Sequence, residues 1–247
     1  MILLVDVGNT NICIACYKDD NIEENIIRIT TLLNRSADEY FLILKEMINL
    51  SNVNNVAISS VVPAITNVLN ELFIKHFNVT PLILGPKVKT GVGIKADNPR
   101  EVGADLICDV AALKKEEALI IDLGTAIKYI YAKNGTLSGV VISPGVNISI
   151  NALVANTALL PDVEIKAPNK VLGNNTICCM QSGVTYGVAS QVDGMIERIK
   201  EEVGNPNLKV IATGGLAKLI IPLTKHEIEI DEFLTLKGLL EIYWRNN

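Results

Sequence analysis

An apolar strand that ends in Asp-x-Gly occurs twice in this chain, and the repetition limits the possible folds more than any other feature. Leu3-Leu4-Val5-Asp6-Val7-Gly8-Asn9-Thr10 matches Ile120-Ile121-Asp122-Leu123-Gly124-Thr125, with the two aspartates 116 residues apart in a chain of 247. Self-similarity near half the length, in only two copies, cannot build a solenoid and predicts two pseudo-equivalent lobes. The element pattern repeats with it. Strands are expected at 1–7, 11–18 and 25–31, then a helix at 36–50, a strand at 55–62, a helix at 63–77 and a strand at 80–84. After a helix from Asn98-Pro99 to about 117, the three-strand opening returns at 118–123, 126–133 and 136–143. Helices follow near 147–155 and 180–203, then a strand at 209–212, a short helix at 216–223, a strand at 227–230 and a terminal helix at 236–243. The expected fold class is α/β, with one lobe over 1–115 and a second over 116–247.

Composition supports that architecture. Hydrophobic residues make up 49% of the chain and charged residues 20%, so a large core is available and wholesale disorder is excluded. Near-continuous apolar strands are what a sheet covered by helices on both faces requires. The net charge of −5 gives no basic excess for a nucleic-acid partner. The apolar runs are interrupted by Asp6 and Asp122, far short of the roughly 20 residues that a membrane-spanning helix needs. Without a basic leader segment, a cytoplasmic location is expected. Five cysteines then read as reduced thiols. Cys13-x-x-Cys16 has metal spacing, but on a strand residues three apart point to opposite faces, so packing is the favoured role.

The Asp-x-Gly junction has a chemical logic. The strand delivers a carboxylate to a sheet edge, and glycine lets the chain turn so that backbone N–H groups face a ligand. The carboxylate can hold Mg²⁺ directly or through water. One such junction is most often an ordinary turn, but two in matching contexts favour loops that clamp a nucleotide. Ala212-Thr213-Gly214-Gly215-Leu216-Ala217 is a third glycine-bearing strand-to-helix junction and suits a nucleoside or ribose contact.

These junctions resemble those of the actin, sugar kinase and heat-shock ATPase superfamily, and within it the chain resembles the type III pantothenate kinases. The resemblance rests on Asp6-Val-Gly-Asn-Thr10, Ser59-Ser-Val-Val-Pro63, Asn98-Pro-Arg-Glu-Val-Gly-Ala-Asp105 and Asp122-Leu-Gly-Thr-Ala126. It continues through Ser143-Pro-Gly145, Asn175-Thr176 with Met180-Gln-Ser-Gly183, Val192-Asp-Gly194, Ala212 to Ala217 and Leu234-Thr-Leu-Lys-Gly-Leu239, in family order over nearly the whole chain. It implies two duplicated ribonuclease H-like lobes with a nucleotide cleft between them. It also implies ATP-dependent phosphorylation of pantothenate, the first step of coenzyme A synthesis, by a homodimer. By the same resemblance Asp6, Val7, Gly8, Asn9, Thr10, Asn11, Ile12 and Cys13 line the ATP phosphates, with Asp6 near Mg²⁺, and Thr125 contacts ATP. Asp105 is the base that takes the acceptor's proton. Gly103, Ala104, Asp105, Leu106 and Thr176 belong to the pantothenate site, and Asp122 holds a monovalent cation, potassium or ammonium.

Five positions depart from the family pattern. Leu106 stands where arginine usually follows the catalytic aspartate, and Ala96 stands where a tyrosine is usual. Ile127 and Lys128 occupy positions that tend to carry hydroxyls, and Ser138 replaces a common glycine. An arginine clamps a carboxylate bidentately and leucine cannot, which leaves Lys95, Arg100 and Lys128 as basic candidates for the acceptor. Two alternatives stay open beside pantothenate kinase: a paralogue acting on another small alcohol, and a nucleotide-binding regulator. His76 and His226 read as surface or helix-end residues, Trp244 as an anchor for the last helix, and Gly103-Ala104 as space kept for a ligand.

Overall fold

The computed structural model describes residues 1–23, 25–49 and 53–247. It divides into one unit of residues 1–114 with 233–247 and another of residues 115–232.

The first unit opens with β1 (Ile2–Val7), β2 (Asn11–Lys18), the two-residue β3 (Asn21–Ile22) and β4 (Ile27–Thr30). Helix α1 (Ala37–Met47) follows, started by a capping box in which Ser36 and Glu39 satisfy each other's backbone N–H groups. The expected helix was longer, and residue 50 lies outside the described residues. Next come β5 (Asn55–Ser60) and α2 (Pro63–Phe77), which begins on the expected proline and ends at Asn78 in the left-handed region, φ 54°. Two short strands, β6 (Leu82–Ile83) and β7 (Gly93–Ile94), precede α3 (Ala104–Ala112). The sheet order is β3-β2-β1-β5-β6, with β4 also on β2. β1 is antiparallel to β2 and parallel to β5. β1 is almost wholly buried because helices cover both faces, as its unbroken Ile-Leu-Leu-Val run requires.

The helix expected from Asn98 to about 117 is two pieces. A single 3₁₀ turn covers Pro99–Glu101, and α3 begins only after Gly103. It stops at Leu113 because Lys114 adopts φ 57°, a helix-ending conformation.

The second unit repeats the order: β8 (Ala118–Leu123), β9 (Ala126–Lys133), β10 (Thr136–Pro144), α4 (Val146–Ala155), α5 (Thr176–Val203), β11 (Lys209–Thr213), α6 (Ala217–Ile220) and β12 (Glu229–Ile230). Its strands are ordered β12-β11-β8-β9-β10, with β8 antiparallel to β9 and parallel to β11. That is the connectivity of the first sheet. Helix α5 starts four residues earlier than the apolar pattern indicates, because the Asn175 side chain caps the Cys178 N–H.

The chain then returns to the first unit with α7 (Leu234–Asn246). Linear order counts this helix with the second lobe, but its buried face joins the first core. Leu236, Leu239, Ile242 and Tyr243 cluster with Ile2, Leu4, Ala15, Ala57, Cys108 and Ala111. Tyr243 is the anchoring aromatic. Trp244, expected in that role, is half exposed and meets Tyr17 only edge-on. Both histidines lie against carboxylates, His76 Nε2 at 2.7 Å from Asp38 Oδ1 and His226 Nε2 at 3.1 Å from Glu197 Oε1.

Candidate active site

In the first unit the Asp6 loop is a tight connection built by the strand pairing. The Gly8 N–H donates to the Asn11 carbonyl at 2.9 Å, and Thr31 closes the outside by donating its hydroxyl to the Gly8 carbonyl at 2.8 Å. Asn9, Thr10 and Asn11 are exposed, whereas Val7 and Ile12 are core side chains. Val7 and Ile12 therefore have only backbone groups to offer a ligand. Asp6 sits at the end of β1, in register with Cys13 on β2 and Ser59 on β5.

Asp105 is the second residue of α3, where the positive end of the helix favours a carboxylate. The Leu106 N–H donates to its Oδ1 at 2.9 Å. A Cβ on Gly103 would strike Asp105 Oδ1, so the glycine keeps room for this carboxylate. Leu106 turns into the core, while Ala96, Lys95 and Arg100 are exposed.

Asp109 was not singled out in the sequence. It lies one turn after Asp105, on the same helix face, and is fully buried. The Thr235 hydroxyl of α7 donates to its Oδ1 at 2.6 Å. The only prior signal was the four-residue spacing from Asp105. Between them, the buried Cys108 thiol registers the surroundings. Burial pushes its pKa well above the thiol range, and the carboxylates of Asp6, Asp109 and Asp105 raise it further against the opposing Ser59 hydroxyl. The sheet and helix meet here: Asp6 is in register with Ser59 on β5, and Ala57 of that strand clusters with Cys108 and Ala111 of α3.

In the second unit Asp122 ends β8 and faces Lys128 directly across β9. The Lys128 Nζ is 2.6 Å from Asp122 Oδ2, and each side chain is only 15% exposed. Two loops wall the carboxylate. A Cβ on Gly214, which has φ 91°, would come within 2.6 Å of Asp122 Oδ1, and one on Gly124 within 3.3 Å. Gly145 packs on the Thr125 backbone and donates its N–H to the Thr125 carbonyl at 3.2 Å. Thr176 opens α5 and is exposed. Lys128, one of the three basic candidates for the acceptor, is therefore committed to Asp122.

Comparison with known proteins agrees with the residue pattern. A family model described as type III pantothenate kinase matches residues 2–198. A type III pantothenate kinase from Acholeplasma laidlawii (strain PG-8A) is 50% identical over 247 residues, covering 100% of this chain and 99% of that protein. One from Exiguobacterium sp. (strain AT1b) is 45% identical over 255 residues, with 100% and 99% covered. Among solved structures, an inorganic polyphosphate/ATP-glucomannokinase from Arthrobacter sp. strain KM has a TM-score of 0.52 at 12% identity, covering 99% of this chain and 98% of that one. That likeness bears on the fold, an actin-like one in both.

Proposed function

The chain belongs to the type III pantothenate kinase family, and we propose that it transfers the γ-phosphoryl group of ATP to the primary hydroxyl of pantothenate. The observation that carries the reading is the packing of the Asp6 sheet on the helix that bears Asp105: Asp6 is in register with Ser59 of β5, and Ala57 of that strand clusters with Cys108 and Ala111 of α3. It puts an Asp-x-Gly phosphate loop beside a half-buried carboxylate at a helix start. Phosphoryl transfer asks little covalent chemistry of a protein. It needs the phosphates held, their charge offset and the attacking oxygen deprotonated near the γ-phosphorus.

We assign those roles residue by residue. The exposed turn from Gly8 to Asn11 offers backbone N–H and side-chain donors to phosphate oxygens, as do Cys13 at its end and Thr125 in the second loop. Asp105 accepts the hydroxyl proton of pantothenate. Gly103 and Ala104 support that carboxylate, and Thr176 contacts the acceptor. Leu106 is buried and apolar, so in this chain it offers no charge to the acceptor carboxylate. Mg²⁺ would offset the phosphate charge, with Asp6 as its protein ligand. The donor set fits. Mg²⁺ takes one or two carboxylates plus substrate phosphates and needs no protein cage, and among the described residues no group of three or more His, Cys, Asp or Glu forms one.

A homodimer and a cytosolic location are part of this proposal. Exposed apolar side chains collect in the second unit, at Ile142, Ile148, Leu159, Leu172 and Ile177. Gly183, Gly187 and Gly194 share one bare face of α5, with nothing within 4 Å of a Cβ on any of them. That face suits close approach by a second copy, and the five free thiols suit a reducing compartment.

The test is ADP release with pantothenate and Mg²⁺, alongside nucleotide binding by calorimetry. Asp105→Asn is expected to abolish turnover and keep ATP binding. Turnover only with a different alcohol would replace the acceptor. Binding without turnover on any acceptor would overturn the kinase reading.

A further inference from the structure

The Asp122–Lys128 pair is built into the sheet. Directly opposed residues on an antiparallel pair carry their side chains on the same face within reach of each other. Here the neighbouring pair, Leu123 with Ile127, is fully buried. A one-residue slip would turn those core side chains outward, so the register that brings Lys128 to Asp122 is pinned. The carboxylate cannot turn away freely either, because the Gly214 and Gly124 loops close on it. With 15% exposure on each side, the pair is far more desolvated than an ordinary surface ion pair, and removing one partner would leave an uncompensated charge. In the first unit the register partner of the matching aspartate, Asp6, is Cys13.

A monovalent cation at Asp122, which the family resemblance implies, does not fit these residues. Its carboxylate already holds a positive nitrogen at 2.6 Å. A lysine ammonium has the charge, and nearly the shape, of a bound ammonium ion.

We propose that Lys128 is a resident cation, and that this kinase binds nucleotide and turns over without potassium or ammonium. The inference rests on the nucleotide role given above to the second glycine loop. The charge that a free ion would bring on binding is carried by the chain, with no ion-binding equilibrium to satisfy.

The experiment measures binding of Mg²⁺ with a non-hydrolysable ATP analogue, and turnover with pantothenate, in choline chloride and in potassium chloride at equal ionic strength. The protein itself is expected to behave alike in both salts. Titration with thallous ion, a potassium probe followed by ²⁰⁵Tl NMR, is expected to show no saturable site. Lys128→Thr is expected to gain the dependence: nucleotide affinity about tenfold weaker in choline and restored by potassium, a coupling of the usual allosteric size, with a new thallium site. Lys128→Met, which fills the space without charge or hydroxyl, is expected to lose affinity in both salts. Saturable activation of the unaltered protein by potassium, or a thallium site in it, overturns the proposal, and neither result depends on a variant folding. Absence of turnover in both salts counts against the kinase reading alone, since the binding measurements still decide the cation question.

Discussion

Gly238→Ala sets two effects of opposite sign against each other. In an ordinary helix interior this change stabilises by roughly 1 kcal/mol, because glycine gives up more backbone freedom than alanine. Gly238 lies inside α7, and a Cβ placed on it lands on the carbonyl oxygen of Cys108 in α3. The obstacle is helix backbone, so no rotamer change relieves it. α7 has to retreat by roughly 2 Å before ordinary van der Waals contact returns. That retreat loosens Leu236, Leu239 and Ile242, all at most 3% exposed. Overpacking costs about 1–3 kcal/mol, and the upper end applies where backbone meets backbone. Subtracting the propensity gain leaves a net loss of about 2 kcal/mol. For a chain of this size, that lowers Tm by about 4–8 °C.

Activity reads out the same displacement. Cys108 lies one turn from Asp105 on α3, and misplacing a catalytic group by about 1 Å can cost on the order of a hundredfold in rate. Thermal denaturation followed by circular dichroism, with kcat measured on the same preparations, tests both effects. A Gly238→Ala protein that is more stable than its parent and retains full kcat would refute the packing argument, because propensity alone would then have decided the outcome.

Other expectations follow from single contacts. Thr235→Val keeps the volume and removes a hydroxyl donor to the buried Asp109, so a loss of about 1.5–3 kcal/mol in urea denaturation is expected for a hydrogen bond to a charged group. Iodoacetamide at pH 8 is expected to label the exposed Cys179 and to spare Cys16 and Cys108. Burial, with Glu23 adding to it, pushes the Cys16 pKa up to about 11, which leaves about one molecule in a thousand as thiolate at that pH. Mass spectrometry of the digested protein distinguishes the sites. Gly187→Leu adds a side chain to open space on the face of α5 proposed for the dimer; light scattering of parent and variant is expected to show association in the parent and monomer in the variant, with unchanged circular dichroism spectra, and equal masses would refute that interface.

Most of the architecture was legible in the sequence, and the exceptions have physical causes. The bounds of β2, α2, β8 and β9 coincide with their apolar runs because Pro, Gly, Asp or Asn stands at the ends. α3 came out shorter than expected because its ends are set by backbone states at Gly103 and Lys114, which apolar spacing does not encode. The unit to which α7 belongs is decided by long-range packing on Cys108 and Ala111, invisible in linear order. Asp6, Asp105 and Asp122 stood out because their motifs are local. Asp109 did not, since its importance lies in a hydrogen bond to a residue 126 positions away. Lys128 was visible as a residue but not as a partner. A two-residue loop after Leu123 would have set Asp122 opposite Ile127; the three-residue connection observed shifts the register by one and brings Lys128 into place.

The residue at the register position, Cys13 opposite Asp6 and Lys128 opposite Asp122, distinguishes the two copies of the motif. In the first unit Asp105 and Asp109 flank the buried Cys108 along α3. In the second unit the aspartate of the same motif is neutralised by Lys128 within its own hairpin. The duplicated loop therefore sets one aspartate opposite a thiol and the other opposite a lysine. Asp122→Asn tests this division. It leaves the Lys128 ammonium buried without its carboxylate, so it is expected to destabilise the fold by about 3–5 kcal/mol. The double change Asp122→Asn with Lys128→Met removes both charges and is expected to recover most of that loss. Calorimetric unfolding of the three proteins gives the coupling directly, and additive losses would show that the two charges do not depend on each other.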